Sequence, residues 1–100
     1  MSRVKSERVA DDLARIGENL RAWRGLRGMT ASLTAERAGI TRETLRRIES
    51  GDGRVLVENL VHVLQVLGVA PDVVAATDPT QSKQGRDLLI ARASRTGRAR

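Results

Sequence analysis

The chain has 100 residues, 40% of them hydrophobic, but Trp23 is its only aromatic. One modest core must therefore come from Leu, Ile, Val and Ala, which suits packed helices better than a small sheet. Cysteine is absent, excluding disulfides, thiolate metal sites and thiol catalysis, and the net charge of +6 (18 basic, 12 acidic) points to a polyanionic partner. Residues 1–28 carry seven cations and four anions, residues 29–68 five of each and residues 69–100 six and three, so the excess lies at the two ends. No apolar run approaches the roughly 18 residues of a membrane span, and Met1–Ala10 lacks a signal-peptide core, so a cytoplasmic protein with no membrane partner is expected.

In chain order, Val9, Leu13, Ile16, Leu20 and Trp23 recur at alternating spacings of four and three, one stripe of a long first helix. Arg15, Glu18, Arg21 and Arg24 fall off the stripe, and Gly25 and Gly28 bring the helix to its end. Thr30 is an N-cap for a short segment Ala31–Ala38, and Gly39 supplies the positive φ of a sharp turn. Thr41 caps a second short helix, Arg42–Glu49, although Thr44 rather than Glu three residues on leaves the capping box incomplete. After the loop Gly51–Leu56, the residues Val57, Leu60, Val61, Leu64 and Leu67 keep helical spacing up to Gly68, and Pro71 opens a fifth helix to Ala76. From Asp78-Pro79 through Gln84 the chain reads as an exposed linker, followed by the apolar patch Leu88–Ile90 and an end rich in arginine (Arg92, Arg95, Arg98, Arg100).

Two short helices joined at Gly39 have the layout of a helix-turn-helix. Ala35 suits the close crossing, while Ile40, Leu45 and Ile48 face the core. That leaves Arg42, Glu43, Arg46 and Arg47 outward, side chains long enough to donate to or accept from base edges. Taken alone, the pattern also fits an αα-hairpin with a solvated charged face.

The stretch Arg24–Gly51 resembles the Xre, or lambda-repressor-like, regulators, through Ala35–Ile40 and Thr41-Arg-Glu-Thr-Leu-Arg-Arg-Ile-Glu-Ser-Gly51. The likeness continues through Val55, Val57, Leu60, Leu64 and Leu67-Gly68, about two thirds of the chain. It implies an all-α, five-helix lambda-repressor-like DNA-binding domain over residues 1–77, with 78–100 as linker and short basic tail. It further implies base contacts from Arg42, Glu43 and Arg47, with Arg46 beside them, and phosphate contacts near Thr30, Ser32, Thr41 and Ser50. Arginine pairs with guanine O6 and N7 and glutamate accepts from cytosine N4, so the expected half-site contains G·C pairs. A competing reading has Glu43 only holding Arg47, four residues on. Three positions depart from the family: Ala31 where many members have glutamine, Thr34 where Leu or Val is usual, and Leu56 where a Ser or Thr cap is common.

Asp78-Pro79, Gly85-Arg86-Asp-Leu-Leu and the arginine-rich end are similar to tails of HipB-type antitoxins, which repress their own operons as dimers and bind a toxin, often a HipA-like kinase. Leu88–Ile90 is too small to form a core of its own; packing on the first helix, pairing with a twin, folding on a toxin and fraying all remain open. A homodimer on a palindromic operator is expected, because one small head buries little surface on DNA. Arg3, Lys5 and Arg8 form a basic arm that reaches the DNA or stays solvated. His62 is the only histidine and no phosphate loop follows Gly51-Asp-Gly53, so no catalysis, metal or cofactor is expected. The rival to a DNA-binding regulator is a helical protein-interaction module; RNA binding is disfavoured for want of an aromatic stacking platform.

Overall fold

The computed structural model describes residues 6–98. Arg3 and Lys5 of the expected arm, and Arg100 of the expected tail, lie outside the described residues; Arg8 belongs to the first turn of a helix. The chain divides into two compact units, the first ending at Val69 and the second starting at Ala70.

The first unit holds α1 (Glu7–Leu26), α2 (Ala31–Ala38), α3 (Arg42–Glu49) and α4 (Val57–Leu67). Helices α1 and α2 each pack on both α3 and α4, and α3 also touches α4. Leu20, Met29, Ala35, Ala38, Leu45, Ile48, Val63, Leu64, Leu67 and Val69 form the core. Thr34 is buried with them, and its hydroxyl donates to the Thr30 carbonyl at 2.9 Å, so the polar atom at this normally aliphatic position is satisfied. Leu56 stands at the start of α4 without a side-chain cap.

The stripe read along α1 is only partly internal. Leu20 is buried and Leu13 half-buried, but Val9, Ile16 and Trp23 remain 51%, 44% and 41% exposed. The reason lies at Gly17, which is buried against the end of α3. A Cβ there would stand 2.7 Å from the Ile48 carbonyl oxygen and from the Glu49 carbonyl carbon, and closer still to the Glu49 oxygen. The helix meets α3 along its glycine side, which turns the outer edge of the apolar stripe toward solvent. The Arg27 guanidinium sits 5.5 Å over the Trp23 ring and so shelters part of it.

A second tie fixes the same two helices. Arg24, in the last turn of α1, donates from Nε and Nη2 to the Glu49 carboxylate at 2.8 and 3.0 Å. Its Nη1 reaches the Met29 carbonyl, just ahead of α2, at 3.2 Å. Both side chains are largely sequestered, 17% and 12% exposed, and the bidentate contact raises the Arg24 pKa further above its ordinary value.

In the second unit, α5 runs Ala70–Ala76, a 3-10 turn covers Pro79–Gln81, and α6 runs Lys83–Arg98. The stretch read as linker and tail is therefore a turn and a 16-residue helix. Asp78 accepts from the Thr80 N–H and hydroxyl at 2.9 and 2.8 Å, and Ser82 accepts from the Gly85 N–H at 3.0 Å, which starts the helix. Lys83 pairs with Asp87 one turn on at 2.7 Å, and the Ala- and Arg-rich sequence that follows has high helix propensity. None of residues 70–96 is buried; Leu88, Leu89 and Ile90 are exposed.

Gly17→Val is expected to lower stability by about 2 kcal/mol or more, because the new side chain meets backbone that has no room to give. The measurement is the urea midpoint at unchanged m-value; a midpoint equal to the parent's would deny the α1–α3 contact. Arg24→Met should cost about 2–3 kcal/mol by leaving Glu49 half-desolvated and alone, and Arg24→Met with Glu49→Leu should recover much of that loss. A double variant no more stable than the single one would show that the ion pair is not what holds the helices.

Candidate nucleic-acid interface

The turn between α2 and α3 is closed by Gly39, whose φ of 68° lies in the left-handed region, with the Gly39 and Ile40 N–H groups donating back to the Glu36 and Ala35 carbonyls. Thr30 caps α2 by accepting from the Leu33 N–H at 3.1 Å, and Thr41 caps α3 by accepting from the Thr44 N–H at 3.0 Å. The Thr41 hydroxyl also donates to the Thr44 hydroxyl at 2.9 Å, a side-chain contact that orients the cap without making the reciprocal bond of a capping box.

With Leu45 and Ile48 buried, the opposite side of α3 carries Arg42, Glu43, Arg46 and Arg47, all exposed. Arg42, Glu43 and Arg46 border a cleft of about 480 Å³ together with Arg21 and Arg24 of α1 and Ala31 of α2. Arg47 stands beside this cleft rather than on its wall. The starts of α2 and α3 thus open on one basic surface, and their first N–H groups add partial positive charge to it. Thr30 and Ser32 lie at one of these starts and Thr41 at the other, all three exposed. Ser50 lies at the far end of α3, where its hydroxyl donates to the Arg47 carbonyl at 3.0 Å.

The four outward residues of α3 do not stand independently. Arg46 donates to the Glu43 carboxylate from Nε at 2.8 Å and from Nη2 at 2.6 Å, and Arg47 Nε approaches the same carboxylate at 3.4 Å. Glu43 therefore engages Arg46 more closely than Arg47, the partner assigned to it by the competing reading of the sequence. The Arg46 hydrogen bonds hold the Glu43 carboxyl down at about 2, so it is charged throughout the neutral range. Just beyond α3, Arg54 donates to Asp52 through its backbone N–H and its guanidinium at 2.9–3.0 Å, which keeps that carboxyl well below the usual range.

Sequence reasoning passed over Arg21, Arg24 and Glu49. Hydrophobic spacing places Arg21 and Arg24 off the α1 stripe and carries no further information about them. The usable signal was the placement of Arg24 at one end of the recognised stretch and an oppositely charged Glu49 near the other. Among the described residues there is no group of three His, Asp or Glu side chains placed to hold a metal ion, and no single helix is long and apolar enough to cross a membrane. His62 is half exposed on α4, 3.6 Å from Glu58.

A protein-family model described as helix-turn-helix matches residues 20–74, from the middle of α1 to α5. No curated protein and no solved structure matches the chain significantly. The match spans more than half of the sequence and includes every element that builds the basic surface, so the chain belongs to the Xre/lambda-repressor-like helix-turn-helix family of DNA-binding transcription regulators.

Proposed function

We propose that the protein is a sequence-specific repressor that binds a palindromic operator as a homodimer in the cytoplasm, with α3 of each copy in the major groove. The observation that carries this reading is the exposure of Arg42, Glu43, Arg46 and Arg47 on the side of α3 opposite Leu45 and Ile48. Arg42 and Arg47 are suited to guanine edges, and Glu43 to cytosine N4, with Arg46 beside them. Thr30, Ser32 and Thr41, at the starts of α2 and α3, are suited to phosphates, as is Ser50 at the end of α3. Ala31, where a glutamine is common, gives up one polar contact and throws more of the affinity onto the arginines.

Dimerisation follows from the small size of one reading head and from the apolar side chains that the second unit leaves uncovered, Val73, Val74, Leu88, Leu89 and Ile90. Those side chains, with the antitoxin-like sequence around Asp78 and Arg86, also support a role as the antitoxin of a toxin–antitoxin pair that represses its own operon. The same exposure favours one other reading, a protein-interaction module with little DNA binding.

Salt dependence distinguishes the two. An operator-binding protein should lose affinity linearly in log–log terms as salt rises, with a slope near 0.9 per phosphate neutralised. Binding to the chain's own promoter weaker than micromolar and flat with salt would instead establish the interaction module. Arg42→Ala and Arg47→Ala should each cost about 1–3 kcal/mol on the operator and relax preference at one base pair. Equal weakening on every sequence would reassign them to phosphates. Sedimentation equilibrium should give twice the monomer mass; a monomer at operator-binding concentrations would remove the palindrome from the proposal.

A further inference from the structure

Glu43 is the only anion among the four outward residues of α3, and it is the hub of their side-chain contacts. Its carboxylate takes two hydrogen bonds from Arg46, at 2.8 and 2.6 Å, and has Arg47 at 3.4 Å. The three side chains are 53%, 65% and 53% exposed, so the cluster lies in solvent and its pairs exchange readily. The other charged groups bordering the cleft are Arg21, Arg42, and the Arg24–Glu49 pair. Arg24 and Glu49 satisfy each other, and of the remaining cations Arg46 and Arg47 are the two in contact with Glu43.

This arrangement has an asymmetric effect on DNA binding. An arginine that turns its guanidinium to a backbone phosphate loosens its hold on Glu43, and the carboxylate, less well neutralised, then faces a polyanion. The penalty is the same on every sequence, except where a base edge offers a donor, cytosine N4 or adenine N6, opposite the carboxylate. Resting on the placement of α3 in the major groove, we propose that Glu43 determines specificity chiefly by penalty: it withholds Arg46 and Arg47 from phosphates on non-cognate DNA and releases them only where a base amine takes their place. A residue that merely reads a base adds affinity at its own site. Glu43 instead subtracts affinity everywhere else.

The test compares the full-length chain with Glu43→Gln and Glu43→Asp on two duplexes, one of random sequence and one enriched from a random pool by the parent protein. Glu43→Gln should bind the random duplex about tenfold more tightly at low salt, with a salt slope steeper by roughly 0.9 as one more cation reaches a phosphate. Its preference for the enriched duplex should fall by about the same factor. Glu43→Asp keeps the charge and should keep the weak binding to random DNA while losing preference at one base pair. Unchanged helical circular dichroism and melting in both variants would confirm that neither effect comes from misfolding, as expected for an exposed side chain. Random-duplex affinity and slope at parental values in Glu43→Gln, or equal weakening on both duplexes, overturns the proposal while leaving the operator reading intact. A parent protein that enriches no sequence and shows no salt slope overturns both.

Discussion

The contact between α1 and the end of α3 governs how everything else is presented. Gly17 lets the two backbones approach to a distance that no side chain would permit, and about two turns further along α1 the Arg24–Glu49 pair fastens the same helices at a second point. Two points of attachment fix both the position and the rotation of α3. Because Arg24 also donates to the Met29 carbonyl, the chain entering α2 is held by the same guanidinium. One side chain therefore ties α1, α2 and α3 together and holds α3 in the orientation that its buried Leu45 and Ile48 select.

That dependence explains which parts of the molecule could be read from its sequence. The helix-turn-helix was legible because its signals are local: Thr30 and Thr41 as caps, Gly39 at the turn, and Leu45 and Ile48 three residues apart. Each works within a few residues, and the outward side of α3 follows from them. The orientation of α1 was not legible, since hydrophobic spacing identifies a stripe but says nothing of a glycine on the neighbouring side that brings the helix closer to its partner. Val9, Ile16 and Trp23 are exposed for that reason. The Arg24–Glu49 pair joins residues 25 apart in sequence, beyond the reach of any periodicity.

The last helix was missed for a different cause. Leu88, Leu89 and Ile90 are consecutive, so they lie on three sides of α6 and give no amphipathic pattern. The helix follows instead from propensity, from the Ser82 cap and from the Lys83–Asp87 pair, signals that are weak one by one. Within the site, the sequence supplied the four outward residues of α3 but not the hydrogen bonds among them. Spacings of three and four from Glu43 reach Arg46 and Arg47 equally well on a helix, and side-chain geometry alone favours Arg46.

The second unit has a consequence for the protein's lifetime. A 16-residue helix with no buried side chain among its described residues rests on its own hydrogen bonds and on the short 3-10 turn against Gly85, a far weaker support than a core. Its amides should exchange with solvent far faster than those of α3 or α4, and its backbone should open often enough to enter a protease cleft. Cleavage is therefore expected to begin in α6, well before it reaches the buried helices of the first unit.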